Sequence, residues 1–138
     1  MAESRRIVMT HAIEVAVGAR DEDPRLLFTD DVRAWSPNLN ASSVAELEKA
    51  FAERTETLSN IALAITGLDV VGNKAIAEWV LQADHTGPLI LDDIRVEPTG
   101  RRVEIGGATV AEFRDHRIRA FRTYFDAASI LEQMVYDD

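Results

Sequence analysis

The sequence predicts an α+β fold in which helices come first and a curved, mostly antiparallel sheet follows. Two observations carry this reading. Apolar residues recur at helical spacing through the first half, and from Ile61 onward they alternate as in strands. A run of helices followed by a run of strands pairs as α+β rather than α/β. At 138 residues, positions 1–138 are expected to form a single domain. About two-thirds of its unfolded surface should be buried. The predicted order is α-α-β-α-β-β-β-β with a short terminal helix. Three helices on one face of the sheet would make a cone whose open end can hold a pocket.

Residues 4 to 19 carry Val8, Ala12, Val15, Ala16 and Ala19 at helical spacing, with Ile7 beside them. Asp23 can cap a short second helix, Pro24 suits its first position, and Leu26, Leu27 and Phe28 supply its apolar side. Val32 to Ser36 reads as a short strand stopped by Pro37. Ser43-Val44-Ala45-Glu46 is a capping box, and Val44, Leu47, Ala50, Phe51 and Leu58 continue one face of a third helix. Ile61, Leu63 and Ile65 then alternate. Gly72-Asn73 turns into a strand from Ala75 to His85. A loop from Gly87 to Gly100 contains Leu89, Ile90 and Leu91. Val103, Ile105, Gly107, Thr109, Ala111 and Phe113 share one face of a long strand, and Gly106-Gly107 within it suggests a bulge or a close approach. Asp115-His116 turns the chain into a last strand, Ile118 to Asp126. Ile130, Leu131, Met134 and Val135 form the apolar side of a terminal helix.

Composition narrows the function. The 24 acidic and 15 basic residues give −9, against the clustered Lys and Arg that nucleic acid or an anionic membrane requires. There is no cysteine, which removes disulfides, thiolate nucleophiles and Cys-based metal sites. The three histidines, His11, His85 and His116, share no metal-binding spacing, so no metal is assigned. No signal peptide or membrane span is read, and cytoplasm is the expected location. The acids at 21–23, 30–31, 92–93 and 137–138 read as solvated ends and loops.

Four stretches stand together: Ala83-Asp84-His85-Thr86-Gly87, Pro98-Thr99-Gly100-Arg101-Arg102-Val103, Glu112-Phe113-Arg114-Asp115-His116-Arg117-Ile118 and Tyr124-Phe125-Asp126. They resemble the SnoaL-like polyketide cyclases of the nuclear transport factor 2-like (NTF2-like) superfamily, most clearly over residues 72–134. The resemblance implies a cone-shaped fold, with three N-terminal helices packed on a curved mixed, mostly antiparallel sheet. It also implies chemistry without metal or cofactor. In those cyclases the Asp matching Asp126 is a lone general acid/base for aldol ring closure. The limonene epoxide hydrolases are similar too. The Arg and first Asp of their Asp-Arg-Asp set fall near Trp79 and Leu81 here, neither of them charged, which leaves Asp126 alone and argues against that reaction.

Strand alternation puts Ala77, Trp79, Leu81, Ala83 and His85 on one face, toward the helices. On the last strand both faces mix charge and aromatics. The resemblance turns Arg122, Tyr124 and Asp126 inward. On the short strand Trp35 is the better inward candidate. The candidate catalytic residues are therefore Asp126, His85 and Tyr124. Trp35, Trp79, Leu81, Ile105 and Arg122 are expected in the substrate pocket. Asp126 either acts as base or caps the helix starting at Ala127. His85 polarises a carbonyl or bonds to backbone, and Tyr124 donates to an oxyanion or simply packs. Arg122 binds a substrate anion or pairs with an acid. The expected partner is a hydrophobic, ring-containing carbonyl compound. The rival is a non-catalytic binding or dimerising domain. A homodimer is expected through the outer sheet face, with Val80, Phe121 and Phe125 on it.

Overall fold

The computed structural model describes residues 2–54, 57–91 and 93–135. Asp92, Asp137, Asp138 and the side chains of Leu91 and Val135 lie outside the described residues. Helix α1 (Ala2–Val17) buries Met9, Ala12, Ile13, Val15 and Ala16. It stops short of Ala19 because Gly18 turns left-handed at φ 86°. The Gly18 N–H then donates to the Val15 carbonyl, and the Ala19 N–H to that of Glu14.

The predicted second helix is a single 3-10 turn, Pro24–Leu26, capped by the Asp23 carboxylate, which accepts from the Arg25 N–H at 3.0 Å. The turn ends because Leu27 and Phe28 are drawn into the core. Phe28 opens strand β1 (Phe28–Ser36), which pairs through Ala34 to Ser36 with β2 (Leu39–Ala41). Helix α2 (Val44–Arg54) starts on the expected capping box: the Ser43 Oγ accepts from the Glu46 N–H, and the Glu46 carboxylate accepts from the Ser42 N–H. Leu58 does not continue this helix but opens β3 (Leu58–Val71). Strand β4 (Lys74–His85) returns after Gly72-Asn73. The predicted 87–100 loop holds a small hairpin, β5 (Leu89–Leu91) against β6 (Ile94–Val96). Strands β7 (Arg102–Arg114) and β8 (Arg117–Phe125) and helix α3 (Ala127–Val135) follow.

The six-stranded sheet runs β2-β1-β8-β7-β4-β3. It is mixed, since β1 lies parallel to β8 while the other pairs are antiparallel. The helices are not three at the N-terminus: one leads, one lies between β2 and β3, and one closes the chain. Beyond the last β8 residue, β7 keeps a free edge. The Gln133 side chain of α3 caps it, donating to the Glu104 carbonyl and accepting from the Glu104 N–H. Among the described residues no helix is long and apolar enough to cross a membrane.

A bulge decides which way β8 faces. Phe113 pairs with Ile118 and Glu112 with Ala120, so Arg119 is an extra residue with no partner of its own on β7. One extra residue inverts every later side chain. Ile118 and Phe121 are therefore both buried, while Arg122 and Tyr124 point to the outer face. Phe121 and Phe125 are likewise not outer-face residues, although Val80 is. Around Trp35 the alternating buried positions of β1 are Val32, Ala34 and Ser36, so Trp35 faces outward, 43% exposed, and lies 5.3 Å from the Tyr124 ring.

Arg5 ties α1 to one end of this sheet. Its Nη1 donates to the Gly72 carbonyl at 2.6 Å, and its Nε and Nη2 donate to the Asp115 carbonyl at 3.2 and 3.1 Å. The guanidinium also sits 5.5 Å from the centre of the Phe113 ring. One side chain thus holds both long hairpin turns. Arg5→Ala is expected to lower unfolding stability by about 1–3 kcal/mol in urea titrations. Arg5→Lys should recover only part of this, since one ammonium cannot reproduce the fork. An unchanged urea midpoint in Arg5→Ala would refute the clamp.

Candidate functional site

The concave face of the sheet and the three helices enclose a cavity of about 390 Å³. Ile13, Ala16 and Val17 of α1 form one wall, and Ile130 and Met134 of α3 another. The sheet supplies Trp79, Leu81, Ile105, Thr109, Phe121 and Thr123, and the β5–β6 hairpin adds Leu89 and Ile90. Asn38 and Glu53 also line it and are exposed, which marks where the cavity meets solvent. The wall is mostly apolar because two strands, β4 and β7, turn their inward faces to the same space in register: Trp79 stands opposite Gly107 and Leu81 opposite Ile105.

Gly107 is required by this packing. A Cβ there would lie 2.5 Å from Cζ2 of Trp79 and 2.9 Å from the Tyr124 carbonyl oxygen, so the indole occupies the space of the missing side chain. The close approach expected of Gly106-Gly107 is found at Gly107. The Trp79 Nε1–H donates to the Thr109 Oγ1 at 3.0 Å, and Thr109 Oγ1 lies 3.1 Å from Thr123 Oγ1. Polar groups on the sheet side of the cavity are thus joined in one short chain.

The predicted residues divide. Trp79, Leu81 and Ile105 line the cavity. Trp35, Tyr124 and Arg122 stand on the opposite face of the sheet, as the bulge at Arg119 dictates. Arg122 donates to Glu112 at 2.9 Å, the ion-pair alternative, and holds that carboxyl below its ordinary range. Asp126 follows β8 directly, and its carboxylate accepts from the Ser129 N–H at 3.2 Å, capping α3. It is exposed and is not part of the cavity wall. Asp126, His85 and Tyr124 are therefore not brought together around a common space.

His85 is fully buried. The Thr99 N–H donates to its Nδ1 at 3.3 Å, and Thr99 Oγ1 lies 2.9 Å from the same nitrogen. Its backbone N–H donates to the Arg101 carbonyl, and its carbonyl accepts from the Gly100 N–H. It fastens the Pro98-Thr99-Gly100-Arg101 turn to the end of β4. An accepting Nδ1 puts the neutral imidazole's proton on Nε2, which is buried and makes no hydrogen bond in the described structure.

Sequence reasoning missed Thr109, Thr123 and Glu53 as cavity residues. Thr109 lay on the predicted inward face of β7, so its signal was present. Glu53 lies one turn after Ala50, which also lines the cavity. Thr123 stands on the face that the resemblance turns outward, since alternation alone leaves the two faces of the last strand undecided. Among the described residues no three His, Asp or Glu side chains group so as to hold a metal.

The family model of SnoaL-like polyketide cyclases matches residues 9–134. No curated protein matches the chain in sequence. Among solved structures, a candidate SnoaL-like polyketide cyclase from Jannaschia sp. CCS1 superposes with a TM-score of 0.85 at 16% identity, covering 99% of this chain and 95% of that one. TsrD from Streptomyces laurentii gives 0.78 at 20% identity, covering 96% of each. A limonene-epoxide-hydrolase-like (LEH-like) epoxide hydrolase from M. tuberculosis gives 0.67 at 14%, covering 97% of this chain and 91% of that one. At these identities the likeness is one of fold.

The environment of His85 has a measurable consequence. Burial pushes its pKa below the ordinary 6.5, and a backbone contact with Gly87 partly opposes this. The fold therefore favours the neutral ring. Its contribution is present above about pH 6.5 and is lost as pH falls through the lowered value. The lowered carboxyls of Asp84 and Glu112 start from 3.8 and 4.5, so their losses come at lower pH. Thermal unfolding followed from pH 7.5 to 5 should show a declining midpoint in the wild type and a flatter one in His85→Asn. Equal slopes in the two proteins would refute a buried neutral His85.

Proposed function

The chain belongs to the SnoaL-like polyketide cyclase family, and on that premise we propose a cofactor-free enzyme, with 1–138 acting as one domain. It moves a proton on a hydrophobic, ring-containing carbonyl compound, by aldol cyclisation or isomerisation. The observation that carries this reading is the cavity of about 390 Å³, apolar in its walls, with hydroxyls on the sheet and a carboxylate at its opening. Small-molecule sites commonly fall between about 300 and 1,000 Å³ with this mixture of many apolar and few polar groups. Since Asp126 is engaged as a helix cap, the proton acceptor assigned here is Glu53. Its carboxylate takes a proton from the carbon beside the ligand's carbonyl, and the carbonyl oxygen becomes an enolate. The enolate carbon then attacks a second carbonyl, closing a ring, and Glu53 returns its proton to the new alkoxide oxygen; alternatively the proton returns at a more distant carbon, shifting a double bond.

A second reading is a domain that holds the same ligand without turnover. The observation favouring it is that, among the described residues, only Glu53 brings a carboxylate to the cavity. The two readings separate on 5-androstene-3,17-dione, whose double bond becomes conjugated when a proton is moved. Turnover by the wild type, slowed about 100-fold or more in Glu53→Gln with binding retained, is the expected result. Undiminished turnover in Glu53→Gln removes Glu53 from the role. Binding without turnover in the wild type selects the second reading.

We also assign the outer sheet face to a second copy of this chain. Trp35, Arg122, Val110 and Ile76 form one row across β1, β8, β7 and β4. Trp35, Ile76 and Tyr124 are 43%, 51% and 48% exposed, and Arg122 among them is held by Glu112, which also pairs with Arg119. Sedimentation velocity should give a dimer at micromolar concentration and a folded monomer for Trp35→Glu. A wild type that stays monomeric at high micromolar concentration ends this assignment.

A further inference from the structure

We infer that the sheet side of the cavity presents one hydrogen-bond donor through Thr123, so that the ligand seats an acceptor oxygen there. The inference rests on the cavity being the ligand site.

It follows from counting hydrogens. Trp79, Thr109 and Thr123 carry three donor hydrogens between them, one on the indole and one on each hydroxyl. Their two hydrogen bonds, at 3.0 and 3.1 Å, use two of the three, whichever way the bond between the threonines runs. One hydroxyl hydrogen remains, and neither threonine has a further hydrogen-bond partner among the described residues. Its position follows from burial. Thr109 also touches the cavity, but it is 1% exposed and its oxygen already accepts from the indole. A spare hydrogen on Thr109 would be a buried donor without an acceptor, an arrangement native proteins avoid more strictly than an under-used acceptor. Thr123 is only half-buried and also lines the cavity. The chain therefore runs from the Trp79 N–H to Thr109, from the Thr109 hydroxyl to Thr123, and from the Thr123 hydroxyl into the cavity. Each donation polarises the next hydroxyl, which strengthens the last donor.

The surroundings define the rest of the ligand. Trp79, Phe121 and Phe125 flank the two threonines, so the part next to the acceptor is aromatic or hydrocarbon. The preferred compound carries a carbonyl attached to an apolar ring system. The same compound with that oxygen replaced by a CH₂ group is discriminated against, since the Thr123 hydrogen is then covered and unpaired.

The test compares 2-acetylnaphthalene with 2-isopropenylnaphthalene, which differ in that one atom, by equilibrium dialysis against the full chain. The wild type should bind the ketone about tenfold more tightly. Thr123→Val should bind the two alike, with hydrocarbon affinity little changed, and Thr123→Ser should keep the preference. Thr123→Ala replaces the valine variant if that fails to fold. Equal binding of both probes by the wild type overturns the inference and leaves the cavity reading intact. So does a preference that survives in the valine or alanine variant. If neither probe binds, the cavity reading falls and the inference with it.

Discussion

The six-membered ring of the Trp79 indole occupies the space where residue 107 would carry a side chain. Much of the site depends on that substitution of one residue's volume for another's. It lets the largest side chain on β4 lie against β7. It brings the indole N–H within reach of Thr109, the inward residue two positions further along β7. The Tyr124 carbonyl limits the same space from the β8 side, so no side chain at 107 could be accommodated by a small shift. A large aromatic with a satisfied polar tip makes a rigid wall. The cavity keeps its shape because that wall is held by packing and by a hydrogen bond at once.

Two further walls come from the two ends of the chain. Parallel pairing places β1 beside β8, bringing α1 and α3 to the same face as neighbours of one cavity. Helix α3 is fixed there by polar bonds as well as by Ile130 and Met134. Gln133 caps the exposed edge of β7, and Asp126 caps the helix's own first turn. A carboxylate committed to a helix N–H serves the architecture. The same position in the chain would serve chemistry only if its side chain turned toward the cavity. This separates fold from reaction here: the cone is a shared scaffold, and its chemistry is set by which side chains line it.

That lining is sparse in charge. The described wall carries threonine hydroxyls and, at the opening, the Asn38 amide and one carboxylate, the indole N–H being already given to Thr109. Such a site recognises shape first and one or two oxygen atoms second. Burial among apolar groups strengthens each hydrogen bond that is made and penalises each that is missed. On the proposed reading, specificity comes from pairing the spare hydroxyl hydrogen more than from attraction to charge.

Much of the fold was legible because it is encoded locally. The capping box at Ser43–Glu46, the turns at Gly72-Asn73 and Asp115-His116, and the inward faces of β4 and β7 depend on residues a few positions apart. Trp79, Leu81 and Ile105 were placed in the cavity on that basis. The helix boundary after Phe51 was less legible, because Leu58 fits a helical spacing as well as a strand start. The orientation of Trp35 was misjudged because size favoured burial, whereas Val32 and Ala34 had already fixed the inward face of β1.

The sequence by itself determined the main helices and long strands, the apolar faces of the central strands and a glycine pair marking a bulge or close approach, but not β2, the β5–β6 hairpin or the shrinking of the second helix to one turn. Only the tertiary structure decided which face of β8 meets the cavity, and with it the standing of Thr123, Arg122 and Tyr124. The reason is physical. Alternation along a strand is relative, and a single unpaired residue, Arg119, inverts it. Whether that residue is skipped depends on the registers of β1 and β7 on either side, strands far away in the chain.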